Sequence, residues 1–284
     1  MRNTVIIFTA LAANAFCAVI ACGQTLNVKV SDTLLELNQK WAAAYQVSHP
    51  SPVIQVTSER TAETFAALAA KQVDLVIVSR SIRHKEAQAC EAILGKRPPE
   101  LKLAVSGLAV YVNSNNPVMQ LTYDELYKIF HGESTNWKEF DNGQDLAISV
   151  YVHSTNSARG ELFNEEVMDG REFSASAHTL VGQELLKAVA ADPQAIGFGP
   201  LATMGGLKPL GIKRAFSSTP VLPTEDNLSK QIYPITRCLF SYCNPTAKAG
   251  DLKPYLDWIR SDEGQAVARA AGFYPLPAGS RSRQ

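Results

Sequence analysis

The stretch His153-Ser154-Thr155-Asn156-Ser157-Ala158-Arg159-Gly160 gathers side chains suited to holding an oxyanion. It follows an alternating apolar run over 146–152 and precedes a helical pattern from Glu161 to Met168, so a strand ends in a short polar loop that opens a helix. A helix start carries backbone N–H groups without acceptors, backed by the positive end of the helix dipole. Hydroxyl and amide side chains there, with one imidazole and one guanidinium, fit a bound anion. The plainer reading is an ordinary N-cap, because Ser and Asn cap many helices. His153 also reads simply as the end of a strand.

Three earlier loops have a similar character: Ser31-Asp32-Thr33, the segment 57–62 containing Arg60 and Thr61, and Ser79-Arg80-Ser81. Ser79-Arg80 reads equally as a surface turn with an arginine–carboxylate pair. No cluster of cysteine and histidine has metal-site spacing, and no cofactor is expected. Cys238 and Cys243 lie five apart in an apolar strand, about 16 Å at strand rise, whereas a disulfide needs Cα atoms within about 7 Å.

The elements that must position these loops alternate strand and helix. Strands are expected at 26–30, 53–56 and 73–78, with helices at 34–46, 63–71 and 84–94. The 73–78 run is apolar enough to be covered on both faces. Such βα repetition argues a parallel sheet with helices on both faces, and ligands on these sheets bind beyond the carboxyl ends of the strands. The polar loops sit at those ends. Leu101 to Asn113 reads as one long apolar strand with Ser106-Gly107 in its middle, able to pass between two domains; Ile232 to Cys243 is a candidate return crossing. Thr122 to Glu125 has capping-box spacing before a helix. Leu207 to Ile212 reads as one short strand, Gly182 to Ala191 as a helix, and Asp251 to Ala271 as an amphipathic helix with a break near Gly264. Trp41 and Trp137 read as core rather than as ligand platforms.

The chain has 284 residues, 46% hydrophobic and 19% charged, long enough for two domains. Its 27 basic and 27 acidic side chains cancel, and their scatter gives no nucleic-acid signal. Residues 1–22 read as a secretory signal: Arg2, then an uncharged apolar run from Val5 to Ala21. Val19-Ile20-Ala21-Cys22 resembles a bacterial lipobox, which would make Cys22 a lipidated N-terminus; simple cleavage near Cys22-Gly23-Gln24 would give a soluble periplasmic protein.

The order of several landmarks resembles the PstS-like phosphate-binding proteins of ABC transporters. These are Leu121-Thr122-Tyr123-Asp124-Glu125-Leu126 with Thr135-Asn136-Trp137, Gly107 to Asn113, Ala195-Ile196-Gly197-Phe198, Tyr233-Pro234-Ile235 with Arg237, and Ser261 to Gln265 with Gly272 to Leu276. The resemblance implies an α/β fold, the type II periplasmic-binding-protein fold, with two lobes joined by two crossing strands and the ligand in the cleft. It places lobe I at 24–113 plus 234–278, lobe II at 114–233, and a disordered tail at 279–284. It implies non-covalent capture of phosphate or a related oxyanion outside the cytoplasm by a monomer that serves an ABC permease in the inner membrane, with no reaction. The family loop Arg-x-x-Gly-Ser-Gly-Thr falls on 153–159, where Ser157 is kept. Its arginine becomes His153, its glycines Asn156 and Ala158, and its threonine Arg159. The family's Gly-Ser-Gly-Thr-Gly loop falls on 60–64, leaving the Thr61 hydroxyl and a neighbouring Arg60. Its first loop falls on 30–33, with Thr33 kept and Asp32 new. Asp32 could accept the proton of a monohydrogen phosphate, which sulfate lacks. Two other classes remain open: an enzyme built on His153 and Ser157, for which no orienting carboxylate is placed, and an envelope or adhesion protein with no cleft ligand.

Overall fold

The computed structural model describes residues 25–244 and 249–281. The expected signal over 1–22, with Cys22, lies outside the described residues.

The first part of the chain runs β1 (Thr25–Ser31), a 3-10 turn (Asp32–Leu34), α1 (Leu35–Ser48), β2 (Val53–Glu59), α2 (Thr61–Ala69), β3 (Leu75–Val78), α3 (His84–Leu94) and β4 (Glu100–Gly107). The βα alternation read from the sequence produces parallel pairing of β1 with both β2 and β3. β3 is Leu-Val-Ile-Val with every residue buried, as a strand covered on both faces requires.

The chain then continues through β5 (Ala109–Asn113), β6 (Gln120–Thr122), α4 (Tyr123–His131), β7 (Ser149–Val152), α5 (Ala158–Val167), β8 (His178–Thr179), α6 (Glu184–Ala191), β9 (Ala195–Gly199), β10 (Leu207–Pro209), β11 (Gly211–Lys213) and α7 (Glu225–Ser229). Thr122 and Glu125 form the capping box at the start of α4: Glu125 N donates to Thr122 Oγ1 at 3.2 Å, and Thr122 N donates to Glu125 Oε2 at 2.7 Å. β12 (Thr236–Cys243), α8 (Ala249–Arg260), α9 (Asp262–Ala270) and α10 (Ala278–Arg281) complete the order.

Two five-stranded sheets result, ordered β2-β1-β3-β12-β4 and β10-β5-β9-β7-β8, with β6 and β11 as a separate parallel pair. In the first sheet β12 is antiparallel to β3 and β4. In the second, β5 is antiparallel to β9 and β10, while β7 runs parallel to β8 and β9.

The run 101–113 is therefore two strands in two sheets, and the change of sheet falls at Leu108 rather than beyond Asn113. The return also comes later than the apolar run implied, because β12 begins at Thr236 and 232–235 is irregular. The two crossings lie side by side: Leu108 N donates to Ile235 O at 3.1 Å, and Gly107 is the register partner of Thr236. A Cβ on Gly107 would lie 2.8 Å from Leu228 Cδ2 on α7 and 3.0 Å from Thr236 Cγ2, so a larger residue there would have to displace those side chains.

Other expectations shift locally. Leu207 to Ile212 splits into β10 and β11. The long C-terminal helix breaks at Ser261, not at Gly264, because Ser261 caps α9 and its Oγ donates to Trp258 O at 2.7 Å. Where a disordered tail was expected, Ala278–Arg281 forms a helical turn: Ser280 O accepts from Arg260 Nη2 at 2.9 Å, and Arg281 pairs with Asp262 at 2.7 Å.

Trp41 and Trp137 are core. Trp41 (0% exposed) donates through Nε1 to Gly264 O at 2.8 Å, and Trp137 (1% exposed) to Gln194 O at 2.9 Å. Cys90, Cys238 and Cys243 are free thiols.

Candidate functional site

A cavity of about 270 Å³ lies between elements of the two sheets. From the first sheet's side it is lined by Thr33, Glu36, Ser106 and Phe273. From the second come His153, Ser157, Ala158, Arg159, Leu180 and Val181. A smaller cavity of about 20 Å³ adjoins it, sharing Thr33, Ser106, Ala158 and Phe273 and adding Ser79, Glu161 and Arg237. That is room for about one water molecule.

The loop after β7 supplies the polar half. α5 starts at Ala158, three residues before the periodicity placed it, because Ser157 acts as N-cap with an extended backbone. Ser157 Oγ accepts from Gly160 N at 3.1 Å and donates to Ser154 O at 2.7 Å. Ser157 N donates to the same carbonyl at 2.9 Å. The Ser157 hydroxyl proton is thus already committed within the loop. The N–H groups of Ala158 and Arg159, first and second residues of the helix, have no acceptor within it. They remain as anion donors beside the helix dipole.

Gly160 permits this packing. A Cβ there would lie 2.0 Å from Ser154 O and 2.8 Å from His153 O, a backbone contact that no rotamer change relieves.

Arg159 is half-buried on the cavity wall. It makes no hydrogen bond or ion pair among the described residues, yet its charge reaches across the cleft. Lys40 first, and Arg159 more weakly, hold the Glu36 carboxyl below its ordinary value.

His153 is 3% exposed. Its Nδ1 lies 3.1 Å from Leu180 O; a carbonyl only accepts, so Nδ1 carries the proton. Burial, and then the Arg159 charge, push the imidazole pKa below its ordinary value, while the Leu180 bond opposes them. The ring is therefore neutral at neutral pH, with Nε2 an acceptor that has no partner among the described residues. His153 cannot replace a permanently charged arginine.

Glu161 faces the opposite problem. Burial raises its pKa, the neighbouring Glu165 and Asp32 carboxylates add to the rise, and Thr33 and Arg237 counter it. Arg237, on β12, is held by two carboxylates of α5: Nη1 to Glu165 at 2.6 Å and Nη2 to Glu166 at 2.9 Å.

The structure gathers part of the residue set expected from sequence. Thr33, His153, Ser157, Ala158 and Arg159 line the larger cavity, and Ser79 the smaller. Asp32, Arg60, Thr61, Arg80 and Asn156 line neither. Arg60 is exposed and paired with Glu63; Thr61 is the first residue of α2. Asp32 and Asn156 face solvent. Arg80 makes a bidentate pair with Glu86, at 2.8 and 2.7 Å, beneath which lies the Phe65 ring, 5.5 Å from the guanidinium carbon. The pairing alternative for Ser79-Arg80 thus describes the arginine. Sequence reasoning missed Ser106, Glu36, Glu161, Arg237 and the Leu180-Val181 wall. Ser106 carried a signal, its place in the crossing; the others meet only through tertiary packing.

Curated relatives are similar over most of the chain. Protein SphX of Synechococcus elongatus is 28% identical, with the alignment covering 87% of this chain and 76% of that one. The phosphate-binding protein PstS of Pseudomonas aeruginosa is 26% identical, covering 87% and 82%. Among solved structures, a possible phosphate binding protein from Planctomyces limnophilus superposes with a TM-score of 0.77 at 23% identity, covering 91% and 95% of the two chains. An ABC-type phosphate transport receptor from Vibrio cholerae gives 0.71 at 23%, covering 89% and 100%. These superpositions establish a shared type II periplasmic-binding-protein fold. Residues 20–263 match the PBP superfamily domain, and the chain belongs to that family.

Proposed function

We propose that the chain is an extracytoplasmic solute receptor that captures phosphate or a closely related oxyanion between its two lobes and delivers it to an ABC permease. It acts as a monomer without a cofactor and catalyses no reaction. Each lobe is built on one sheet and the crossings at 107–108 and 235–236 form the hinge, so closure brings Thr33 and Ser106 towards the α5 N-terminus.

One observation carries this reading. The unpaired guanidinium of Arg159 and the free N–H groups at the start of α5 open together into a cavity flanked by both sheets. The similarity to phosphate-binding relatives supports the choice of oxyanion. A second reading, a different small solute, draws support from Glu36 on the same wall, a carboxylate that disfavours a fully ionised anion.

Thermal unfolding with phosphate, arsenate, sulfate, molybdate and a set of neutral and zwitterionic solutes tests both. A ligand at 100 times its dissociation constant stabilises by about 2.7 kcal/mol. Arg159→Ala abolishes the oxyanion shift and leaves the unliganded protein folded, since the side chain makes no hydrogen bond or ion pair among the described residues. No shift with any oxyanion ends the first reading; a shift with a neutral or zwitterionic solute alone supports the second.

A further inference from the structure

Part of the cavity wall is of no use to an inorganic oxyanion. Val181 lines the cavity yet is 74% exposed, and half-buried Leu180, Pro200 and Phe273 stand beside it. A small hydrated ion gains nothing from aliphatic and aromatic surface, whereas an organic group does. Size points the same way. One water needs about 10–15 Å³ of such space. Before closure the cavity, at about 270 Å³, exceeds four oxygens around one phosphorus and leaves room for a substituent. It approaches the roughly 300 Å³ at which sites for small organic ligands begin. Independently, the His153 Nε2 acceptor is buried without a partner among the described residues, in a residue that lines the cavity, so a ligand that brings a hydrogen-bond donor would satisfy it.

We propose that the cleft takes an oxyanion bearing an organic substituent, a phosphonate or a phosphate monoester. Its anionic head sits on the Ala158 and Arg159 N–H groups and the Arg159 guanidinium. A protonated oxygen of the head donates to His153 Nε2, and the substituent lies against Leu180, Val181 and Phe273. The proposal rests on the oxyanion-capture reading and narrows it.

Titration calorimetry of the purified chain with inorganic phosphate, methylphosphonate and n-butylphosphonate tests it. Each fully buried methylene strengthens binding about fourfold. The three extra methylenes of the butyl compound then give at least tenfold tighter binding than the methyl compound. Val181→Ser, at an exposed position where folding is not at stake, lowers that butyl-to-methyl ratio at least threefold; Phe273→Ala lowers it further. Binding of phosphate with the butyl compound no tighter than the methyl one overturns the proposal and leaves oxyanion capture standing. Absence of binding by all three compounds removes oxyanion capture itself, and the proposal with it.

Discussion

Gly160→Ala puts opposing local and tertiary effects in competition. In an isolated helix the substitution stabilises, by up to about 1 kcal/mol. Here the added methyl would sit 2.0 Å from Ser154 O and 2.5 Å from Ser154 C, far inside the 3.4–4 Å of ordinary contact. Both neighbours are backbone, so relief requires moving the 153–157 turn away from the helix. That turn is tied down by Ser157 N to Ser154 O at 2.9 Å, Ser157 Oγ to Ser154 O at 2.7 Å and Gly160 N to Ser157 Oγ at 3.1 Å. Each bond contributes about 1 kcal/mol net, and overpacking against a fixed neighbour costs about 1–3 kcal/mol. With one of those bonds lost as the turn moves, the steric side exceeds the propensity side by a net of about 1–3 kcal/mol. At about 2–4 °C per kcal/mol for a chain of this size class, the melting midpoint falls by several degrees. Displacement of the turn also misplaces the Ala158 and Arg159 N–H groups, so oxyanion affinity falls with it. Calorimetric unfolding, with and without phosphate, measures both. A variant as stable as wild type or more so would refute the reasoning, since the turn would then yield without cost.

Three further outcomes follow from the same site. Ser157→Ala removes the α5 cap and lowers stability by about 1 kcal/mol, read as a lower urea midpoint at unchanged m-value. His153 has a folded-state pKa below its ordinary 6.5; the unfolded chain binds the proton more readily, so stability rises with pH up to that value and levels off above it. Urea unfolding of His153→Gln across that window shows a flatter profile. Glu161 has a folded-state pKa above its ordinary 4.5, so the folded state holds the proton longer and wild type loses stability as pH rises through the folded value. Glu161→Gln is therefore more stable than wild type at neutral pH, and the two converge as pH falls below 4.5; a destabilised neutral-pH variant would mean the carboxylate is needed in its charged form.

The alternation of strand and helix was legible up to β4, because each of β1 to β3 is short, carries buried apolar residues and leads through a polar loop towards a helix. The crossing was legible as a position and misread as a single strand. An apolar run shows that residues are covered, not by which sheet, and Leu108 separates two pairings that share one hydropathy. At the site, the loop before α5 announced itself through residue type. What sequence left open was commitment: Arg60 and Arg80 have the charge an anion wants, but Glu63 and Glu86 hold it, for Arg80 as the pairing alternative had it. The hydroxyl of Ser157 points its proton at a carbonyl rather than a ligand. Such commitments are set by neighbours in space, as are the altered proton affinities of His153 and Glu161.

The placement of β12 between β3 and β4 has a consequence for how the chain acquires its shape. The five strands of the second sheet all lie within 109–209, an uninterrupted stretch that can pair as soon as it is made. The first sheet cannot close until β12 arrives, more than a hundred residues after β4. Until then β3 and β4 are open edges, surfaces on which another extended chain could add. Late long-range pairing of this kind is slow and exposed to aggregation. A chain shortened before Thr236 would retain the second sheet whole and lose the strand that joins β3 to β4, leaving a half-receptor with two adhesive borders.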